Sequence, residues 1–398
     1  MKIAFVVTAY NIEAYIRACL MRLGEVLEAG DQVIVVDDGS SDDTPLEIQA
    51  ALTALTGQLG PEVTLTPIYL GANSHGGVGI PANIGLREAL AGGRDALFFV
   101  DGDDLISPAG LRELRQSFAK TCPDLLIANY QVLVEPEGHV GPPPDAELWA
   151  QAARLETPEE HRGIALRMVG VPWRKLYRME FMRLQALRFP EGDFFYEDNP
   201  FHWQACLAAE EIQFLDRVVC LHRIGRAGQT MAARGMELAV FFDHYERIVA
   251  GLKTRRYRSE ALRWLLENMA WHVDQLSPDV YWTYAERARQ TLAAVPRVDW
   301  QRVQGDPVAE RARGMALTLA QGQLAAVIAG WQGRAVSRQV AALEAQLAAL
   351  ADAQAGLTDQ VTQVRDWSEG QRALQEFSVL QQHGPSARAR CDETPPRD

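Results

Sequence analysis

The sequence predicts an α/β fold: a mostly parallel sheet wrapped by helices, then a helical extension and a heptad-bearing helix. Three observations carry this. The first third alternates apolar, strand-length runs with amphipathic, helix-length segments, the pattern of parallel strands joined by crossover helices. Three of those runs end in polar clusters, at Thr8-Ala9-Tyr10-Asn11, Asp37-Asp38-Gly39-Ser40 and Asp101-Gly102-Asp103-Asp104. Near the end, apolar residues recur at a strict 3-4 spacing from Val336 to Val364.

Ile3 to Thr8 is continuously apolar up to its final threonine, as expected of a strand covered on both faces. Ile16, Leu20, Leu23 and Leu27 then form one stripe of a helix over about residues 13–27. Val33–Val36 is a second strand, followed by a helix over about 44–55. Residues 63–70 read as a third strand, and a Gly-rich stretch over 71–79 leads into a helix over about 81–91. Ala96–Val100 is a fourth strand. Farther on, Leu125–Val134 is strand-like, Glu135–Pro144 is a Pro/Gly-rich loop, and Val218–Leu221 is strand-like again. Residues 236–330 are helical, with Trp264, Trp271, Trp282 and Trp300 expected between helices. The resulting division is 1–235, an α/β domain; 236–330, a helical extension; 331–383, a heptad helix; and 384–398, a disordered tail with three prolines.

Of the nine heptad positions Val336, Val340, Leu343, Leu347, Leu350, Gln354, Leu357, Val361 and Val364, eight are apolar. At ~1.5 Å per residue the seam is about 42 Å long. Two readings stand: a coiled coil that makes a homo-oligomer, with Gln354 setting register, or a lone amphipathic helix packed back on the body.

Composition removes several classes. The 398 residues hold 39 Lys and Arg against 52 Asp and Glu, a net charge of −13. That balance argues against nucleic-acid binding, which needs cations to neutralise phosphates. No apolar run nears the ~20 residues of a spanning helix, and the start lacks a charged n-region and cleavage site. The expected location is cytoplasmic. Five cysteines, Cys19, Cys122, Cys206, Cys220 and Cys391, form no pair with zinc spacing and read as reduced thiols.

The acidic strand ends carry the chemistry. Asp101 and Asp103, two apart, project to one face of an extended segment. Carboxylates held that close repel unless a cation sits beside them. A hard ion, Mg²⁺ or Mn²⁺, is the natural partner, and it completes its shell with substrate phosphates. Asp38 can accept a hydrogen bond from a base N–H or ribose hydroxyl, while Ser40, Asp42 or Asp43 starts the next helix. No GxGxxG follows the first strand and no GxxxxGK[ST] occurs. A metal would therefore carry a bound diphosphate.

These motifs, in order, with Asn83-Ile84-Gly85, resemble glycosyltransferase family 2, of the GT-A nucleotide-diphospho-sugar transferase fold. Trp173-Arg174-Lys175-Leu176-Tyr177 and Tyr196-Glu197-Asp198-Asn199-Pro200-Phe201 look like its acceptor-side motifs. The resemblance covers about residues 1–225. It implies an inverting transferase that takes a nucleotide-sugar donor, UDP-sugar above all, to a saccharide or lipid-linked acceptor in cell-surface polysaccharide or glycolipid synthesis. It places Thr8 and Tyr10 at the base, Asp38 on the base, Asn83 in the nucleotide-sugar site, Asp101 near the ribose and Asp103 on the metal. Asp198 becomes the general base, with Glu197 as its alternative. Ala82 stands where family members often carry Arg, so one cation for the nucleotide is missing.

Arg223 and Arg226, in the basic loop His222–Thr230, suit diphosphate oxygens, and His222 suits a metal or phosphate contact. Lys253-Thr254-Arg255-Arg256-Tyr257-Arg258 could touch anionic lipid headgroups, a peripheral membrane contact. Two other classes compete. A sugar nucleotidyltransferase wants a Gly-rich basic loop after the first strand, which Tyr10-Asn11-Ile12-Glu13 does not supply. A non-catalytic coiled-coil scaffold would not need the intact acidic sets.

Overall fold

A computed structural model describes residues 1–135, 137–226 and 234–383. The expected disordered tail at 384–398, Cys391 and the loop residues Ala227–Thr230 lie outside the described residues. The chain divides into two compact units, Met1–Ala329 and Gly330–Asp398.

The first unit opens with β1 (Ile3–Ala9), α1 (Ile16–Gly24), β2 (Gln32–Asp37), α2 (Thr44–Gln58), β3 (Thr64–Tyr69), α3 (Gly79–Ala91) and β4 (Ala96–Asp101). β1 pairs in parallel with β2 and β4, and β2 with β3. Every residue of β1 and β2 is buried, which explains the unbroken apolar runs: helices cover both sheet faces. Gly85 lets α3 lie close on the sheet, since a Cβ there would sit 2.4 Å from Val6 Cγ1. α1 is shorter than its apolar stripe suggests. Ahead of it, the backbone N–H groups of Asn11, Ile12 and Glu13 are held by Ser40 Oγ at 2.9 Å, Thr44 Oγ1 at 2.8 Å and Asp42 Oδ2 at 3.2 Å.

Next come β5 (Leu105–Ile106), α4 (Pro108–Thr121), β6 (Leu125–Val134), β7 (His139–Gly141), α5 (Ala146–Ala152), α6 (Pro158–Ala165), β8 (Lys175–Arg178), α7 (Met179–Leu184), α8 (Asp198–Ala208) and β9 (Ile212–Ile224). β8 pairs antiparallel with both β4 and β6, and β6 runs parallel to β9. The sheet order is β3-β2-β1-β4-β8-β6-β9-β5, with β7 on β6. The sheet is therefore mixed: a parallel N-terminal half extended through antiparallel β8. The expected loop at Glu135–Pro144 contains β7, which pairs with the end of β6.

Helices α9 (Val240–Gly251), α10 (Arg258–Gln275), α11 (Tyr281–Ala293), α12 (Arg297–Arg302) and α13 (Pro307–Ala320) form the extension. Trp264 and Trp300 are buried in it, as expected. Trp282 is not: it is 61% exposed at the start of α11, while its neighbour Tyr281 takes the inward position. Phe241 stacks on Trp264 and tilts against Tyr196 at 4.8 Å, so the extension braces the segment leading into α8.

α14 (Leu324–His383) runs through the second unit as one continuous helix. Its heptad residues are exposed. Among the described residues, no helix is long and apolar enough to cross a membrane.

Candidate active site

The carboxyl ends of β1, β2 and β4 meet the start of α8 and the end of β9 in a cleft of about 740 Å³. Strand register sets the rim. Thr8 stands beside Val36 on one side and Asp101 on the other, and Ala9 stands beside Asp37. Parallel strands in register bring three sequence-distant polar turns to one edge, where open α/β sheets bind ligands.

On the β2 side, Asp38 is cradled by the Gly-rich stretch. It accepts hydrogen bonds from Ser74 N at 3.0 Å, Ser74 Oγ at 2.9 Å and Asn73 Nδ2 at 3.2 Å. Gly39 makes that approach possible: its φ is +69°, and a Cβ would lie 2.2 Å from the carbonyl carbon of Ala72. Burial raises the Asp38 pKa, and the Ser74 hydrogen bonds oppose the rise. Asp42 Oδ1 accepts the Thr44 N–H at 3.0 Å, so the same acidic turn starts α2.

At the end of β4, Asp101 and Asp104 come together with His222 of β9, their ligand atoms within 4.8 Å of one another. His222 Nδ1 lies 3.0 Å from Asp104 Oδ2, and its ring stacks on Trp173 at 4.7 Å. Burial, then the Asp104 and Asp103 charges, push the Asp101 pKa well above the ordinary range. Burial alone would lower the His222 pKa, but the Asp104 charge and hydrogen bond outweigh it and lift it to about 9. A cluster of carboxylates that raise one another's pKa values is a donor set that favours a cation. Asp103 faces Arg226, whose Nε is 2.5 Å from Oδ2.

Asp198 is the first residue of α8. Burial raises its pKa, and the nearby Lys175 ammonium opposes this. Lys175 is itself fully buried, with Nζ 2.6 Å from the Val171 carbonyl, and burial brings its pKa down to about 7. Glu197 reaches the start of α3, where Oε1 accepts the Gly79 N–H at 2.6 Å. Asp198 also lines the cleft that Asp101 and Asp103 line. The arrangement sets a buried carboxylate in the same cleft as an acidic, cation-seeking rim.

Residues 4–181 match the model of Glycosyl transferase family 2. The chain carries a glycosyl transferase family 2 domain. It is 25% identical over 225 residues to the protein named Uncharacterized glycosyltransferase EpsJ of Bacillus subtilis and 27% identical over 227 residues to the protein named Putative glycosyltransferase EpsH of the same organism. Each match covers 56% of this chain, which spans 60% of the length of these relatives. The fold is GT-A. It is similar to that of S. aureus TarS residues 1–349, crystallised with UDP-GlcNAc, at a TM-score of 0.59 and 21% identity, covering 81% of this chain and 92% of that one.

Within this family 2 domain the predicted site residues divide. Thr8, Tyr10, Asp38, Asp101, Asp103, Glu197, Asp198 and Arg226 all line the cleft. Asn83 and Arg223 are not among the described residues that do. The Asn83 amide donates to the Phe189 carbonyl at 2.9 Å and to Glu191 Oε1 at 2.9 Å, and accepts the Phe189 N–H at 2.9 Å. It clasps the loop at Phe189 and Glu191. The Arg223 guanidinium pairs with Glu135 and lies 5.0 Å over the Tyr15 ring. In the basic cluster at 253–258, Arg256 pairs with Glu159 and Arg258 with Asp299. Sequence reasoning missed Asn73 and Ser74 under Asp38, and it named Trp173 and Lys175 only as motif letters. The Gly-rich stretch beside a strand end was the signal for the first pair.

Proposed function

We propose that this chain moves a sugar from a nucleotide-diphospho-sugar to an acceptor hydroxyl with inversion at the anomeric carbon, in the synthesis of cell-surface polysaccharide or glycolipid. One observation carries the reading: Asp198 and the Asp101/Asp103 pair line one and the same cleft. A single in-line displacement needs a base and a group that receives the leaving diphosphate within one site. The UDP-GlcNAc complex of TarS, whose fold the chain shares, supports a UDP-sugar as donor.

Thr8, Tyr10 and Asp38 bind the nucleoside end, with Asp38 accepting from a base N–H or ribose hydroxyl. Asp101 stands beside them, near the ribose. Asp198 takes the proton from the acceptor hydroxyl as its oxygen bonds to the anomeric carbon. The bond from that carbon to the diphosphate oxygen breaks, and the nucleoside diphosphate leaves with the electron pair. Position and the raised pKa make Asp198 a more effective base than a solvated aspartate. Glu197, engaged at the start of α3, positions the segment.

The donor set fits a divalent ion, Mg²⁺ or Mn²⁺. Asp103 and the Nε2 atom of His222 would hold it, with Asp104 on Nδ1 of the same imidazole, an arrangement that orients metal-binding histidines. The chemistry such an ion supplies is Lewis-acid neutralisation of the leaving diphosphate. Arg226 adds a cation for the same phosphates once Asp103 has another partner.

A panel of nucleotide sugars, each with and without Mn²⁺, tests the reading by thermal shift and donor hydrolysis. A UDP-sugar should raise Tm in a Mn²⁺-dependent way and be slowly hydrolysed. A chain that no nucleotide sugar stabilises would overturn it.

A further inference from the structure

The long helix α14 exposes an ordered apolar seam. In heptad notation Val336, Leu343, Leu350, Leu357 and Val364 occupy d, and Val340, Leu347, Gln354 and Val361 occupy a. Exposure of the apolar members runs from 48% at Val340 to 69% at Val361. Monomeric soluble proteins rarely expose contiguous apolar patches beyond a few hundred Å². Past Val364 the next apolar step is three residues where four is due, to Trp367, and the stripe continues through Leu374, Phe377 and Leu380, also exposed. From Val336 to Leu380 the stripe is about 66 Å long. At the ~11 Å width of a helix it presents roughly 700 Å², close to the ~800 Å² per partner of a stable interface.

We propose that this face is covered by the same helix of a second copy of the chain, in a parallel, in-register, two-stranded coiled coil. Valine at two of the four a positions with leucine at three of the five d positions is the two-stranded preference. Orientation follows from Gln354, the single polar residue of the seam. In a parallel pair it meets the partner's Gln354, amide to amide. In an antiparallel pair an a residue packs against d, so the amide would be buried against an apolar side chain without a partner. The flanking g–e pairs of the parallel arrangement are Gln339 with Glu344, Gln346 with Ala351, Ala353 with Thr358 and Gln360 with Arg365. None sets like charges together. A lipid surface is the weaker occupant: residues 331–383 hold four arginines and no lysine against six carboxylates, whereas interfacial helices are rich in basic residues.

Light scattering of the full chain should give twice the 44.1 kDa of one copy. Leu343→Glu combined with Leu350→Glu, both at exposed positions, should halve that mass. In a Cys122→Ser, Cys391→Ser background, Val340→Cys should form an intermolecular disulfide on mild oxidation, because a parallel register sets each copy of position 340 against the other and an antiparallel one separates them. A wild-type mass of 44.1 kDa overturns the proposal. A threefold mass overturns the two-stranded assignment, and a doubled mass without cross-linking overturns the parallel one.

Discussion

Glu197 Oε1 accepts the backbone N–H of Gly79 at 2.6 Å, across 118 residues of chain. The contact ties the residue before α8 to the first turn of α3, where an acceptor satisfies an otherwise orphan donor and the helix dipole favours negative charge. It fixes the entry to α8, and with it Asp198, against the Gly-rich stretch that cradles Asp38.

That contact has a pH signature. Burial is the largest influence on Glu197 and raises its pKa from 4.5 to about 7 despite the hydrogen bonds to its carboxylate. The folded chain therefore holds a proton here that the unfolded chain releases near pH 4.5. Between about pH 4.5 and 7 the native state binds more protons, so this group's contribution to stability falls as pH rises, by on the order of 3 kcal/mol across the window. Glu197→Gln is neutral throughout and keeps an acceptor for Gly79. Its urea midpoint should decline less than wild type's between pH 4.5 and 7. Parallel curves for the two proteins would refute the assignment.

Asp198→Asn separates binding from chemistry. The amide preserves shape and removes the base, so transfer should fall by roughly 10²–10⁴-fold. Donor affinity, measured by calorimetry with Mn²⁺ present, should stay within about twofold. Loss of donor affinity equal to the loss of rate would move the base elsewhere.

Asn83→Ala should behave as a folding mutant. It leaves the Phe189 N–H and carbonyl without their partner, at about 1–3 kcal/mol for an unsatisfied buried group. A lower Tm with unchanged donor KM in the surviving protein is expected. A raised KM at unchanged Tm would return Asn83 to the nucleotide site.

These residues show what a sequence can disclose. Asp38, Asp101 and Asp103 were legible because each ends an apolar run, and parallel register then brings the ends together. The heptads were legible from period alone, as the single helix α14 confirms for conformation. The partners of Asn83 and Arg223 were not legible, because residue type does not tell which way a side chain turns. Their partners, Phe189 and Glu135, lie 106 and 88 residues away, and nothing local marks them. Lys175 was invisible as a chemical group for a similar reason: its influence on Asp198 arises only when β8 and α8 pack together.

Arg226 and Asp103 lead to a prediction about coupling. Their side chains are only 14% and 11% exposed, with Nε 2.5 Å from Oδ2. A cation that binds Asp103 competes with that guanidinium for the carboxylate, and drawing a partly buried ion pair apart is costly. A diphosphate supplies the replacement anion, and guanidinium suits its oxygens. Mn²⁺ should therefore bind weakly alone and several-fold more tightly with UDP present. By linkage UDP should gain the same factor from Mn²⁺. Arg226→Gln removes the competitor, so Mn²⁺ affinity without nucleotide should rise while the coupling shrinks. Asp103→Asn should abolish the Mn²⁺ response altogether. Calorimetric titration of Mn²⁺ into each variant, with and without UDP, reads all three effects. Equal coupling in wild type and Arg226→Gln would show that the guanidinium does not gate the site.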